Sequence, residues 1–197
     1  RPRRFGKSYA AQMLTAYYDC SCDSHSLFDD KEIAGTEGYL AHLNQYHVMN
    51  LDITTFLSAA QRKGTPLKEV PDMIVDRLLA ELEEFYPDCA SGREFMDGLI
   101  RCVEKTGRKF VFVIDEWDAL IREAKDDAVA QKRYLSLLRE WFKSSIFTPK
   151  VVAAAYMTGI LPIKKDGSQS AISDFKEYTI LNPGRFVEFT GFTEREV

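Results

Sequence analysis

Residues 110–114, Phe-Val-Phe-Val-Ile, limit the folds open to this chain more than any other stretch. The run carries no polar side chain, follows Gly107-Arg108-Lys109 and ends on Asp115 and Glu116. A strand with one wet face alternates polar and apolar residues, whereas a continuous apolar run reads as a strand covered on both faces. Covering both faces takes helices above and below a sheet. The two acids at the carboxyl end need a reason of their own. They either cap the next helix, whose first turn favours acids, or serve a site beyond the strand tip. Capping explains one acid well and the adjacent pair less well.

The remaining chain alternates strands with helices. Val48–Ile53 and Val151–Met157 read as further strands, and Arg185–Thr190 as a short last one. Helical spacing places Ala10, Ala11, Met13, Leu14, Tyr17 and Tyr18 on one side of a first helix. Gly38–Gln45 reads as a short helix. Pro66–Tyr86 is a longer one, with Val70, Ile74, Val75, Leu78, Leu79, Leu82 and Phe85 facing inward and Pro87 ending it. Ser91 and Glu94 have the spacing of a capping box. The helix they precede buries Phe95, Leu99, Ile100, Cys102 and Val103, and Gly107 stops it. A short helix near Trp117–Ala124 and a longer one through Val129, Tyr134, Leu137, Leu138, Trp141 and Phe142 follow the acid-tipped strand. Small Ala153, Ala154 and Ala155 predict helices packed closely over the third strand. Asp19–Lys31 and Lys164–Ser173 read as polar loops. This order argues a parallel sheet with helices on both faces, whose ligands bind beyond the carboxyl ends of the strands. Asp52 lies near such an end, where it reads equally as a site residue or an ordinary strand-terminal acid.

A length of 197 residues suits one domain with a full core. A net charge of -4 and a pI near 5.5 argue against a broad nucleic-acid surface, while leaving a local basic patch open. No apolar stretch is long enough to span a bilayer, and no secretory leader pattern is present. Cys20, Cys22 and His25 lie close together, but their spacing matches no common zinc pair and no second pair follows. The four cysteines therefore read as reduced thiols of a cytoplasmic protein.

The amino end supplies a second piece of the site. Arg1-Pro2-Arg3-Arg4-Phe5-Gly6-Lys7-Ser8 resembles a phosphate-binding loop, G-x-x-x-x-G-K-S/T, with Arg1 where the first glycine belongs. A Gly-Lys-Ser triplet opening a helix lets backbone N–H groups wrap phosphates, aided by the positive end of the helix dipole. Arg3, Arg4, Phe5, Gly6, Lys7, Ser8 and Tyr9 are the candidate nucleotide-binding residues. Lys7 would reach the β- and γ-phosphates, and Ser8 with Asp115 would hold Mg²⁺. Glu116 is placed to polarise the attacking water. Arg3 and Arg4 either add charge near the phosphates or pair with acids to stabilise the loop. Thr158, closing the third strand, reads evenly as a γ-phosphate sensor or a plain strand terminus.

Four blocks in order, Arg-Pro-Arg-Arg-Phe-Gly-Lys-Ser, Val-Ile-Asp-Glu-Trp-Asp, Met-Thr-Gly-Ile-Leu-Pro-Ile and Glu-Phe-Thr-Gly-Phe-Thr-Glu-Arg-Glu-Val, resemble the AAA-ATPase-like proteins of bacteria and archaea. The first block is that family's own version of the loop, Arg1 included. Trp117 stands where a tyrosine is often found. The resemblance implies a P-loop NTPase of RecA/AAA-like α/β fold. Lys7 and Ser8 would be its nucleotide pair, Asp115 its Mg²⁺-organising acid, Glu116 its catalytic glutamate and Thr158 its polar sensor. Some family members carry a C-terminal restriction-type nuclease domain, and no nuclease segment lies within these residues.

In such a fold the phosphate loop hangs from a central strand, which would precede Arg1. The expectation is therefore one domain, 1–197, truncated at both ends and lacking its first strand. The leading function is ATP hydrolysis with Mg²⁺. One rival is a nucleotide-dependent switch acting on a downstream effector domain with little turnover. Another is a transferase, disfavoured because a water-activating acid is unwanted there. Arg139 and Arg185 are candidate arginine fingers. If a finger comes from a second copy, the isolated domain hydrolyses slowly and speeds up on self-association.

Overall fold

A computed structural model describes residues 6–161, 175–179 and 182–189. The loop residues Arg1 to Phe5, the polar loop 164–173 and the closing Thr190 lie outside the described residues. Three strands, β1 (His47–Asp52), β2 (Phe110–Asp115) and β3 (Val152–Met157), form a parallel sheet in the order β1-β2-β3. All six residues of β2 are buried, as its apolar run requires. Its side chains alternate between two cores. Val111 and Val113 face Ala11 of helix α1 (Lys7–Tyr18). Phe110, Phe112 and Ile114 enter the main core on the opposite face. Counted along the chain, the helix Ala128–Phe142 is α9, and it closes this second face. There Trp141 and Phe142 bring their ring centroids to 5.6 and 5.4 Å from Phe112. Helices thus cover both faces of a mixed α/β unit.

The parallel register brings the strand ends to one edge. Asp52 pairs with Asp115, and Ile114 with Met157. Asp52 is used locally. Its side chain caps α4 (Ile53–Lys63), accepting the Thr54 N–H at 2.9 Å and the Thr54 hydroxyl at 2.6 Å. No helix is expected there from sequence.

Several expectations are corrected. The polar stretch 19–31 contains a short helix, α2 (His25–Phe28), because Phe28 is buried against Tyr17, Tyr39 and Leu43 in a satellite core. The short helix expected over 38–45 spans Tyr39–His42 and is α3. Met13 lies on the open side of α1 and is exposed. Helix α5 (Val70–Phe85) buries Val70, Ile74, Leu78 and Leu82, but Phe85 is 72% exposed because the last turn overhangs the core. Pro87 ends α5 and opens α6 (Pro87–Ala90) from its first position, where the missing N–H costs nothing. The Ser91–Glu94 capping box does not form. Glu94 is the N-cap of α7 (Phe95–Thr106) without a side-chain bond, and Ser91 closes α6 instead. Ala153 and Ala154 are exposed, because β3 is an outer strand of the described sheet. Arg185 belongs to a 3₁₀ turn, Gly184–Phe189, which finds no ladder partner among the described residues. Among the described residues no helix is long and apolar enough to cross a membrane, and all four cysteines are free.

His47, at the start of β1, is a buried polar residue with a complete set of partners. Its Nδ1 accepts from the Tyr86 hydroxyl at 2.9 Å and lies 3.4 Å from Cys20 Sγ. Nε2 lies 3.0 Å from Thr106 Oγ1, so the neutral ring protonated on Nε2 satisfies both sides. Burial, reinforced by Arg108 and only partly opposed by Asp19, holds the His47 pKa below its ordinary value. The unfolded chain therefore takes up a proton that the folded chain resists. His47 contributes stability in full above about pH 6.5, and that contribution is lost as pH falls through the lowered folded value. Urea midpoints are expected to fall between pH 7 and 5.5 in the parent chain and to lose that slope in His47→Gln.

Candidate functional site

Gly6 caps α1 at φ 74°, a left-handed conformation that glycine adopts without strain, and its carbonyl accepts the first helical bond from Ala10 N–H at 2.9 Å. This turn sets Lys7 at the start of the helix, directed across the strand ends. Lys7 Nζ lies 3.1 Å from Glu116 Oε1 and 3.4 Å from the carbonyl of Gly159, with its side chain 10% exposed. The amino-terminal lysine and the acidic doublet, remote in sequence, therefore meet at one place. Ser8 and Tyr9 follow Lys7 on α1 and are exposed, Tyr9 to 69%.

Glu116 adopts φ 50°, which is uncommon for a residue with a side chain and costs on the order of 1–3 kcal/mol. The conformation turns the chain sharply off β2. It is held by the Glu116 N–H, which donates to Asp115 Oδ1 at 3.1 Å and to Thr158 Oγ1 at 3.2 Å. The Thr158 hydroxyl in turn donates to Asp115 Oδ1, and both residues are buried. Backbone bonds from Thr158 N–H to Ile114 O and from Trp117 N–H to Thr158 O, each 2.9 Å, tie the end of β3 to this turn.

The next turn adds a second layer. Arg122, on helix α8 (Ala119–Glu123), donates from Nη2 to Glu116 Oε2 at 2.7 Å and from Nε to Asp118 Oδ2 at 3.1 Å. Asp118 is fully buried, and its Oδ2 also accepts the N–H groups of Ile160 at 3.2 Å and Leu161 at 2.8 Å. Its other oxygen, Oδ1, has no hydrogen-bond partner. Gly159 passes so close that a Cβ there would lie 2.7 Å from both Asp118 Oδ1 and Trp117 Nε1. Only glycine fits at that crossing. Below it, the Tyr134 hydroxyl donates to the Trp117 carbonyl at 2.8 Å, and burial raises the Tyr134 pKa.

The cluster thus joins two cations, Lys7 and Arg122, to three carboxylates, Asp115, Glu116 and Asp118. A family model described as Predicted AAA-ATPase matches residues 1–168. The chain belongs to that family. Membership carries a nucleotide-binding role at a coarse level. No curated protein and no solved structure matches the chain.

In this AAA-ATPase family member, sequence reasoning missed Asp118 and Arg122 as site residues. A signal was present, since an acid four residues ahead of an arginine on one helix face is a recognised pairing pattern. It reads as an exposed surface pair from sequence, and the burial of Asp118 is what changes its meaning. Arg139 lies exposed on α9, and Arg185 is exposed in its 3₁₀ turn. Arg3, Arg4 and Phe5 are outside the described residues.

Proposed function

We propose that this chain binds ATP with Mg²⁺ in a P-loop site of RecA/AAA-like type and hydrolyses it. The observation that carries the reading is the 3.1 Å approach of Lys7 Nζ to Glu116 Oε1 beside the exposed N-terminus of α1. That terminus offers backbone N–H groups and partial positive charge to phosphates. Lys7 would leave the carboxylate for the β- and γ-phosphates. Ser8 and Asp115 would hold Mg²⁺, and the donor set fits such an ion. A hydroxyl and a carboxylate are hard oxygen ligands, Mg²⁺ takes few protein ligands, and among the described residues the cluster carries one more carboxylate than cations. No group of three or more His, Cys, Asp or Glu side chains among the described residues makes a self-sufficient metal cage, so phosphate oxygens and water would complete the shell. Bound there, Mg²⁺ would neutralise phosphate charge. Glu116 would take a proton from the attacking water, and Thr158 fixes the orientation of Asp115.

A second reading has its own observation. Both Glu116 oxygens are engaged, one by Lys7 and one by Arg122. A carboxylate with a cation on each oxygen has neither oxygen free to meet a water, which favours a slow switch that senses nucleotide and controls an effector domain. Single-turnover phosphate release separates the two readings, and a rate that rises with chain concentration would add a second copy as partner.

Lys7→Ala tests the site itself. Loss of a charged donor to phosphate is expected to weaken ATP binding about 10- to 100-fold. Titration of a fluorescent ATP analogue with Mg²⁺ measures it, and unchanged affinity would remove Lys7 from the phosphate site.

A further inference from the structure

Arg122 has an unusual position for a side chain on a short surface helix. It bridges two carboxylates of different character. Asp118 is fully buried and is fixed by two backbone N–H groups as well as by Arg122. Glu116 is 23% exposed and shares its other oxygen with Lys7. One end of the guanidinium is therefore anchored, while the other holds the group that faces the site. A planar guanidinium carries Nε and Nη2 in a fixed fork, which suits this bridging better than the single ammonium of lysine.

We infer that Arg122 is the positioning residue for Glu116, holding Oε2 so that Oε1 is aimed at the site. The inference rests on the proposed ATP site. Lys7 contacts Oε1 and Arg122 contacts Oε2. A triphosphate draws Lys7 away, because several phosphate oxygens compete with one carboxylate oxygen. Oε1 is then uncovered, while Oε2 stays bound to Arg122 and fixes where Oε1 points. Water gives its proton to Oε1, its oxygen forms a bond to the γ-phosphorus, and the bond from that phosphorus to the bridging oxygen breaks. The electron pair leaves with ADP. Without Arg122 the left-handed turn at Glu116 remains, but the side chain loses its second tether and samples other rotamers. Asp118 contributes by holding Arg122 and by tying residues 160 and 161 to the same point.

The test is a split between kcat and KM for Mg²⁺-ATP in Arg122→Gln and Arg122→Lys. Misplacing the base is expected to lower kcat about 10- to 100-fold in Arg122→Gln, with KM within about threefold of the parent. Arg122→Lys keeps a cation beside Asp118, which guards against misfolding, and is expected to fall between the parent and Arg122→Gln in kcat. Equal kcat in all three chains overturns the inference, as does a loss that appears in KM alone. If the parent chain binds ATP but releases no phosphate, hydrolysis is what fails. Positioning is then decided without nucleotide by a double-mutant cycle between Glu116→Ala and Arg122→Ala. A coupling of about threefold or more in the unfolding equilibrium constant supports it, and a smaller coupling overturns it.

Discussion

Glu116→Gln is expected to keep ATP binding and to lower turnover by about 10²- to 10⁴-fold, the range that a positioned general base contributes. The amide has nearly the same shape and keeps an oxygen for Arg122, so the turn after β2 is preserved. It has no basicity with which to take a proton from water. The same change removes the negative charge that faces Lys7 at 3.1 Å. In the parent chain nucleotide must pull Lys7 from that carboxylate, and in the variant it need not. ATP affinity is therefore expected to be equal to or tighter than that of the parent. Fluorescent-nucleotide titration and single-turnover phosphate release, run on the same preparations, read both effects. Equal turnover in variant and parent would take Glu116 out of the chemistry, and a large loss of affinity would recast it as a structural partner of Lys7.

The second large effect is on stability. Asp118→Ala removes a fully buried carboxylate whose Oδ2 accepts from Arg122 Nε and from the N–H groups of Ile160 and Leu161. Breaking a buried pair by removing one partner typically costs 3–5 kcal/mol, because the remaining groups lose their acceptor. Two features reduce that figure here. Arg122 is 23% exposed and turns partly to water, and Asp118 Oδ1 already lacks a partner in the parent. An effect of about 2–4 kcal/mol follows, or a lowering of Tm by roughly 4–16 °C for a domain of this size. Urea unfolding of the two chains measures it. A change under about 1 kcal/mol would mean that residues 160 and 161 find other acceptors and that Asp118 does not hold the site together.

The readable and unreadable parts of this molecule differ in a regular way. The apolar run of β2 showed its own burial, because only a strand covered on both faces leaves no polar position. The stripe of Val70, Ile74, Leu78 and Leu82 likewise showed which face of α5 turns inward. Phe85 continued the same spacing and failed, since periodicity reports a face and not where the core stops. Phe28 failed in the opposite sense. One aromatic in a polar stretch carries no period, and only Tyr17, Tyr39 and Leu43 around it make it core. Asp52 was ambiguous until α4 was seen to use it as a cap.

Local order thus determined the kind of fold: helices alternating with parallel strands, and acids and a threonine at one edge of the sheet. It also placed a glycine-lysine-serine turn at the head of a helix. Tertiary structure decided which of these groups meet. Lys7, Glu116, Arg122 and Asp118 lie on three separate segments with the backbone of residues 159–161, and their pairing depends on the register of β2 and β3 and on the turn at Glu116. Periodicity along a chain records which neighbours are apolar, since each element must bury one face or both. It holds no record of the distance between two charges on different elements, and that distance governs the chemistry.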